Sequence, residues 1–150
     1  MTSVLIGTGG WAYFKVPGVD SLRAYSMAFD FVEVNSTFYT WPSLSVVRSW
    51  RKRVPDHFEF TLKCHKSITH DHLLSINDYV VKALNKTAEM YNAIRASLLI
   101  VETPSSLSMQ VLSTERVERF FKLCADLGLK LAWDVRGIKP LPPPIRDLMI

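Results

Sequence analysis

Short apolar runs alternate along this chain with longer stretches in which apolar residues return every three or four positions. Val4-Leu5-Ile6 reads as a buried strand, and three glycines with Trp11 follow within residues 7–13. After a Pro17-Gly18 turn, Leu22, Tyr25 and Phe29 form a helical stripe that Asp20 or Ser21 can cap. Phe31–Val34 is strand-like, and Pro42-Ser43 opens a helix to about Val54 carrying Val46, Val47 and Trp50. Over Glu59–His65 the alternation is plain. Phe60, Leu62 and Cys64 fall on one face, and Glu59, Thr61, Lys63 and His65 on the other. Asn77 or Asp78 begins a long helix with Val80, Val81, Leu84, Ala88, Tyr91 and Ile94, and Leu98–Val101 is a fourth strand. Thr114 and Glu115 start a helix bearing Val117, Phe120, Phe121, Cys124 and Leu127, which Gly128 closes. Leu131–Val135 is a fifth strand, with Asp134 and Arg136 opposite Leu131, Trp133 and Val135. Pro140, Pro142, Pro143 and Pro144 stiffen the chain beyond it, Pro144 being placed for the first turn of another helix. Strict alternation of strand and helix predicts an α/β fold with parallel strands and right-handed crossovers.

Composition adds bounds. At 150 residues and 48% apolar content, the chain is expected to form one domain over 1–150 with one core, and disorder is not expected. A net charge of +4 permits an anionic small molecule or nucleic acid as partner without requiring either. Arg48, Arg51, Lys52 and Arg53 could make a nucleic-acid patch, although cations near a helix C-terminus are favourable in themselves. No apolar run approaches the ~20 residues that span a bilayer, so no membrane association is expected. With no charged leader before Val4, a soluble, cytoplasmic protein is expected, and Cys64 and Cys124 read as free thiols.

The candidate chemistry centres on Phe31–Pro42, a strand that ends in a polar and aromatic cluster before a helix. With strands in parallel, one sheet face collects Glu33, Asn35, Lys63, His65, Glu102, Asp134 and Arg136 near the strand C-termini. Carboxylates beside a lysine and an arginine suit general acid–base work or an anionic substrate. The alternative is a set of ion pairs that fixes strand register. Gly7–Gly10 could cradle a phosphate or carboxylate, or form a tight turn beside a packed Trp11. Glu33, His65, His70, Glu102 and Asp134 are of the type that binds a divalent metal, but no compact histidine spacing supports a metal set. Cys64 points toward the helices, away from this face.

Gly7-Thr8-Gly9-Gly10-Trp11, Val32-Glu33-Val34-Asn35-Ser36-Thr37-Phe38-Tyr39, Phe58-Glu59-Phe60, Lys63 and Ile68-Thr69-His70 occur in that order. Together they resemble the YecE-like family, domain of unknown function seventy-two, whose members look like TIM barrels. The resemblance runs to about Arg136. It departs at Glu102, where the family usually has glutamine, and at Asp134-Val135-Arg136, where it has Glu-x-Arg. It implies a TIM (β/α)-barrel type fold, of which this chain carries the first five βα units. Barrels take ~250 residues, so a partial or split barrel is expected, with self-association or a partner chain completing it.

The expected function is an enzyme-like site acting on an anionic substrate, phosphodiester hydrolysis being one version. Glu33 and Asp134 would serve as acid–base carboxylates, with Lys63 and Arg136 holding the anion. Thr8, Gly9, Trp11, Tyr13, Asn35, Ser36, Thr37, Tyr39, His65, Thr69, His70 and Glu102 would line the pocket. The rival readings are a binding module without turnover and an inactive truncated barrel.

Overall fold

Valines at 32 and 34 and leucines at 62 and 99 must leave water, and each lies one residue from a polar or half-buried neighbour. That period of two sends alternate side chains to opposite faces of a sheet. The computed structural model describes residues 4–107, 112–137 and 140–147. Among these residues are five strands: β1 (Gly7–Gly9), β2 (Phe31–Val34), β3 (Glu59–Lys63), β4 (Leu98–Glu102) and β5 (Leu131–Asp134). They form one sheet in sequential order, every neighbouring pair parallel. Between them run α1 (Ser21–Ala28), α2 (Leu44–Lys52), α3 (Asp78–Ile94) and α4 (Thr114–Asp126), and α5 (Pro143–Asp147) follows. Sequential order with helical crossovers is the arrangement of a (β/α) barrel. Among the described residues the sheet is not closed: β1 and β5 are edges.

Capping chemistry sets the helix starts. Asp20, Ser43, Asn77 and Ser113 each accept a backbone N–H from the first turn of α1, α2, α3 and α4. Gly128, at φ +73°, turns the chain after α4. The core lies between sheet and helices, where Leu22, Tyr25, Val32, Phe60, Leu62, Leu84, Leu99, Val101 and Phe120 are buried. The other sheet face is an apolar floor of half-buried Phe31, Leu98, Ile100 and Ala132 beneath a charged upper layer. No helix among the described residues is long and apolar enough to cross a membrane.

Two expectations are corrected. Val4–Ile6 is not a buried strand: Val4 is 81% exposed, and β1 begins at Gly7. Among the described residues no strand pairs with the outer side of β1, so the apolar run lacks a partner surface, although Asp30 N donates to Ile6 O at 2.9 Å. Lys66–His72, which by composition reads as a polar loop carrying two histidines, instead contains a single π-helical turn, Ser67–Asp71, that buries Ile68 and Thr69.

The glycines at 7 and 9 serve close approach between strands. A Cβ on Gly7 would overlap the Phe31 carbonyl oxygen, and one on Gly9 the Asn35 amide. Thr8 N donates to Tyr25 Oη at 2.6 Å and Gly10 N to Glu33 O at 2.9 Å, so neither N–H is spare for a phosphate. Gly7→Ala is expected to cost about 2–3 kcal/mol, because backbone cannot yield as a side chain can. A fall in the urea midpoint at unchanged slope would report it.

Candidate active site at the strand C-termini

Burial of Val32, Val34, Leu62, Leu99 and Val101 against the helices forces Glu33, Lys63 and Glu102 onto the opposite face. Register then brings them together: Glu33 pairs with Thr61, Lys63 with Ile100, and Glu102 with Asp134. Glu102 is the hub. Its Oε2 lies 2.5 Å from Lys63 Nζ and its Oε1 3.1 Å from Arg136 Nη1. Arg136 also donates to Asp134 Oδ2, from Nε at 3.1 Å and Nη2 at 2.9 Å. Among the described residues Glu33 reaches only one cation within 4.0 Å, Lys63. The Glu102 and Lys63 side chains are 11% and 18% exposed, so these charges act through little water.

Three carboxylates against two cations leave the cluster one negative charge in excess. The group that best sheds that charge is the least paired. Burial pushes the Glu33 carboxyl above its ordinary value; Lys63 opposes this, and Glu102 and Asp134 add to it. The hydrogen bond to Asp134 holds the Arg136 proton more firmly than usual. Such an arrangement can hand a proton to a neighbouring molecule or take one from it.

Around the cluster the expected residues take different roles. Thr37 Oγ1 lies 2.7 Å from both Val34 O and Lys63 O, tying the ends of β2 and β3 together. Lys63 Nζ sits 5.2 Å over the Phe38 ring, which His70 meets edge-on at 5.1 Å; His70 Nδ1 is 2.9 Å from Thr69 Oγ1. Beside β1 and β2 lies a cleft of about 320 Å³ lined by Gly9, Gly10, Trp11, Ala12, Tyr13, Val34, Asn35 and Ser36. Asn35 Oδ1, and Thr61 Oγ1 on the register partner of Glu33, are buried and have no hydrogen-bond partner among the described residues. Trp11 packs edge-on against Trp50 at 5.3 Å, Tyr13 is fully exposed, and Tyr39 is exposed beside Phe38. His65 leaves the polar face: it stacks on Trp41 at 4.4 Å, and Ser67 N donates to its Nδ1 at 3.2 Å. Glu102, expected from the sequence among the pocket-lining groups, is the hub instead. The signal was its register opposite Asp134 one strand from Lys63.

Among the described residues no group of three or more His, Cys, Asp or Glu is placed to hold a metal. Lys63 and Arg136 lie among the carboxylates instead. Cys64 and Cys124 are free and buried, and burial pushes both thiols up, Cys124 to about 12, which leaves them unreactive. The basic end of α2 is largely structural. Arg51 donates to Phe58 O at 2.7 Å and to Pro55 O, and Arg53 pairs with Asp20 at 2.9 Å. These groups precede β3, so they lie at the opposite end of the sheet from the acidic cluster.

A family model described as "Protein of unknown function DUF72" matches residues 5–139. The chain is 32% identical over 90 residues to the UPF0759 protein YecE of Escherichia coli K12, an alignment covering 58% of this chain and 33% of that protein. Among solved structures it is similar to a DUF72 family protein (EF0366) from Enterococcus faecalis V583. There the TM-score is 0.73 at 18% identity, over 95% of this chain and 54% of that one. It is also similar to a DUF72 family protein (TM1631) from Thermotoga maritima MSB8, with a TM-score of 0.64 at 22% identity, over 87% and 54%. The chain thus spans about a third of the matched curated relative and about half of each solved structure.

Proposed function

Because the chain belongs to the DUF72 family of proteins of unknown function, its chemistry must be argued from its own side chains. We propose that the rim cluster is an acid–base enzyme site in which Glu33 transfers the proton. One observation carries this reading: Glu33 is desolvated and has one cation at 4.0 Å, whereas Glu102 and Asp134 are each held within about 3 Å of a cation. A carboxyl raised toward neutrality serves well as acid and as base.

In this reading Lys63 and Glu102 orient Glu33. Arg136, half exposed, is the cation that meets an anionic group of the substrate. A small carboxylate- or phosphate-bearing molecule fits better than nucleic acid, since the cluster carries excess negative charge and the basic helix end lies far from it. Chain that pairs with the open edges of β1 and β5, whether a second copy or a partner, would enclose the site. The free thiols suit a reducing, cytoplasmic setting.

The test is turnover of the purified protein on a panel of phosphate- and carboxylate-bearing small molecules, followed by a pH profile. If Glu33 acts as base, kcat/KM falls as pH drops through its raised pKa. A rate that holds level well below pH 4.5, the ordinary value of the group, overturns the assignment.

A further inference from the structure

Outside the charged cluster, a cleft of about 250 Å³ lies between Trp41, in the loop after β2, and one flank of α3. Its α3 wall is Tyr79, Lys82, Ala83 and Lys86, spaced at i, i+3, i+4 and i+7, so all face one way. Ala83 leaves a notch between the larger side chains. Both aromatic rings are braced from behind by histidine. Trp41 stacks on His65 at 4.4 Å and 18°, and Tyr79 on His72 at 4.9 Å and 29°. Each histidine is itself held: Ser67 N donates to His65 Nδ1 at 3.2 Å, and Asn77 Nδ2 donates to His72 Nδ1 at 3.1 Å. Tyr79 is 48% exposed, so the packing fixes a ring that burial does not require.

Charge in the cleft is one-sided. Lys86 Nζ lies 5.1 Å from the Trp41 ring centre, and Lys82 stands one turn before it. Among the described residues neither lysine has a carboxylate within 4.0 Å, although Asp78 and Glu89 lie on the same helix. Fixed aromatic faces beside unneutralised ammonium groups match a planar ring joined to an anion.

We propose that this cleft is a second binding site, for a planar aromatic ligand carrying a phosphate or similar anion. The ring stacks against Trp41 or Tyr79, and Lys82 and Lys86 hold the anion. Lys86 swings off the Trp41 ring to do so, which its flexible stem allows. The site is independent of Glu33.

The experiment is a titration of the isotope-labelled chain, followed by amide and indole NMR, with AMP, adenosine, inorganic phosphate and a short single-stranded oligoadenylate. AMP is expected to shift the Trp41 indole signal and the amides of Tyr79, Lys82 and Lys86. Adenosine and phosphate should each bind about tenfold more weakly or less. Lys82→Gln with Lys86→Gln, both exposed and so harmless to folding, should weaken AMP about tenfold, while Glu33→Gln leaves it unchanged. Oligoadenylate binding well above AMP through the same residues assigns the chemistry to a polymer; equal binding assigns it to a free small molecule. Shifts confined to the rim, equal affinity for adenosine, or no loss in the double variant overturns the proposal.

Discussion

Glu33→Gln is expected to lower turnover by about 10²–10⁴-fold while leaving the folded protein at least as stable at neutral pH. The two halves of that result share one cause. Burial raises the Glu33 carboxyl above its ordinary 4.5, so the native state binds more protons than the unfolded chain between 4.5 and the raised value. Stability therefore falls as pH rises through that window, and an ionised Glu33 is a burden above it. Glutamine keeps the shape and removes both the charge and the transferable proton. Thermal unfolding at pH 4 and pH 7 checks the second half: the variant should gain on the wild-type chain as pH rises. A binding module would lose affinity and no turnover, and a register-fixing ion pair would lose stability at pH 7. Either outcome separates those readings from catalysis.

Phe60→Ala is expected to cost about 3–5 kcal/mol, enough to unfold a domain of ordinary stability at physiological temperature. Phe60 is fully buried in β3, the central strand of the sheet. It meets Phe58 edge-on at 5.2 Å, and the Arg51 guanidinium lies 5.3 Å from its ring centre. Deleting it opens a cavity beneath a guanidinium whose Nε already lacks a partner among the described residues. β3 also carries Lys63, so the loss reaches the site through the strand. Urea unfolding of the two proteins gives the difference directly; a cost below about 1 kcal/mol would mean that the core relaxes around the deletion far more than its packing suggests.

How far the sequence foretold this follows from local physics. The βα order was legible because Phe60, Leu62 and Cys64 alternate with polar residues and because Val117, Phe120 and Cys124 recur at helical spacing. Both patterns are one-dimensional traces of burial. The rim carboxylates and cations were legible for the same reason, being the odd members of those alternations. Val4–Ile6 misled because hydrophobicity records a wish for burial, and an edge strand offers none on its open side. His65 continued the polar face by parity, yet β3 ends at Lys63, and past a strand end parity no longer fixes direction. Its stacking partner Trp41 lies 24 positions away by number and is joined to it through neither strand nor helix period. The π-helical turn after it depends on burying Ile68 and Leu74, which no local signal encodes.

The proposed site rests on a desolvated Glu33 at the sheet rim, ready to exchange a proton. Carbon-detected NMR titration of the Glu33 carboxyl in the intact protein tests it without knowledge of a substrate. The expected midpoint lies above 4.5 and moves higher still in Lys63→Met, which removes the neighbouring cation that opposes the rise. A midpoint at or below 4.5 in the wild-type chain would mean that Glu33 is an ordinary ion-pair carboxylate, and the acid–base site would have to be abandoned.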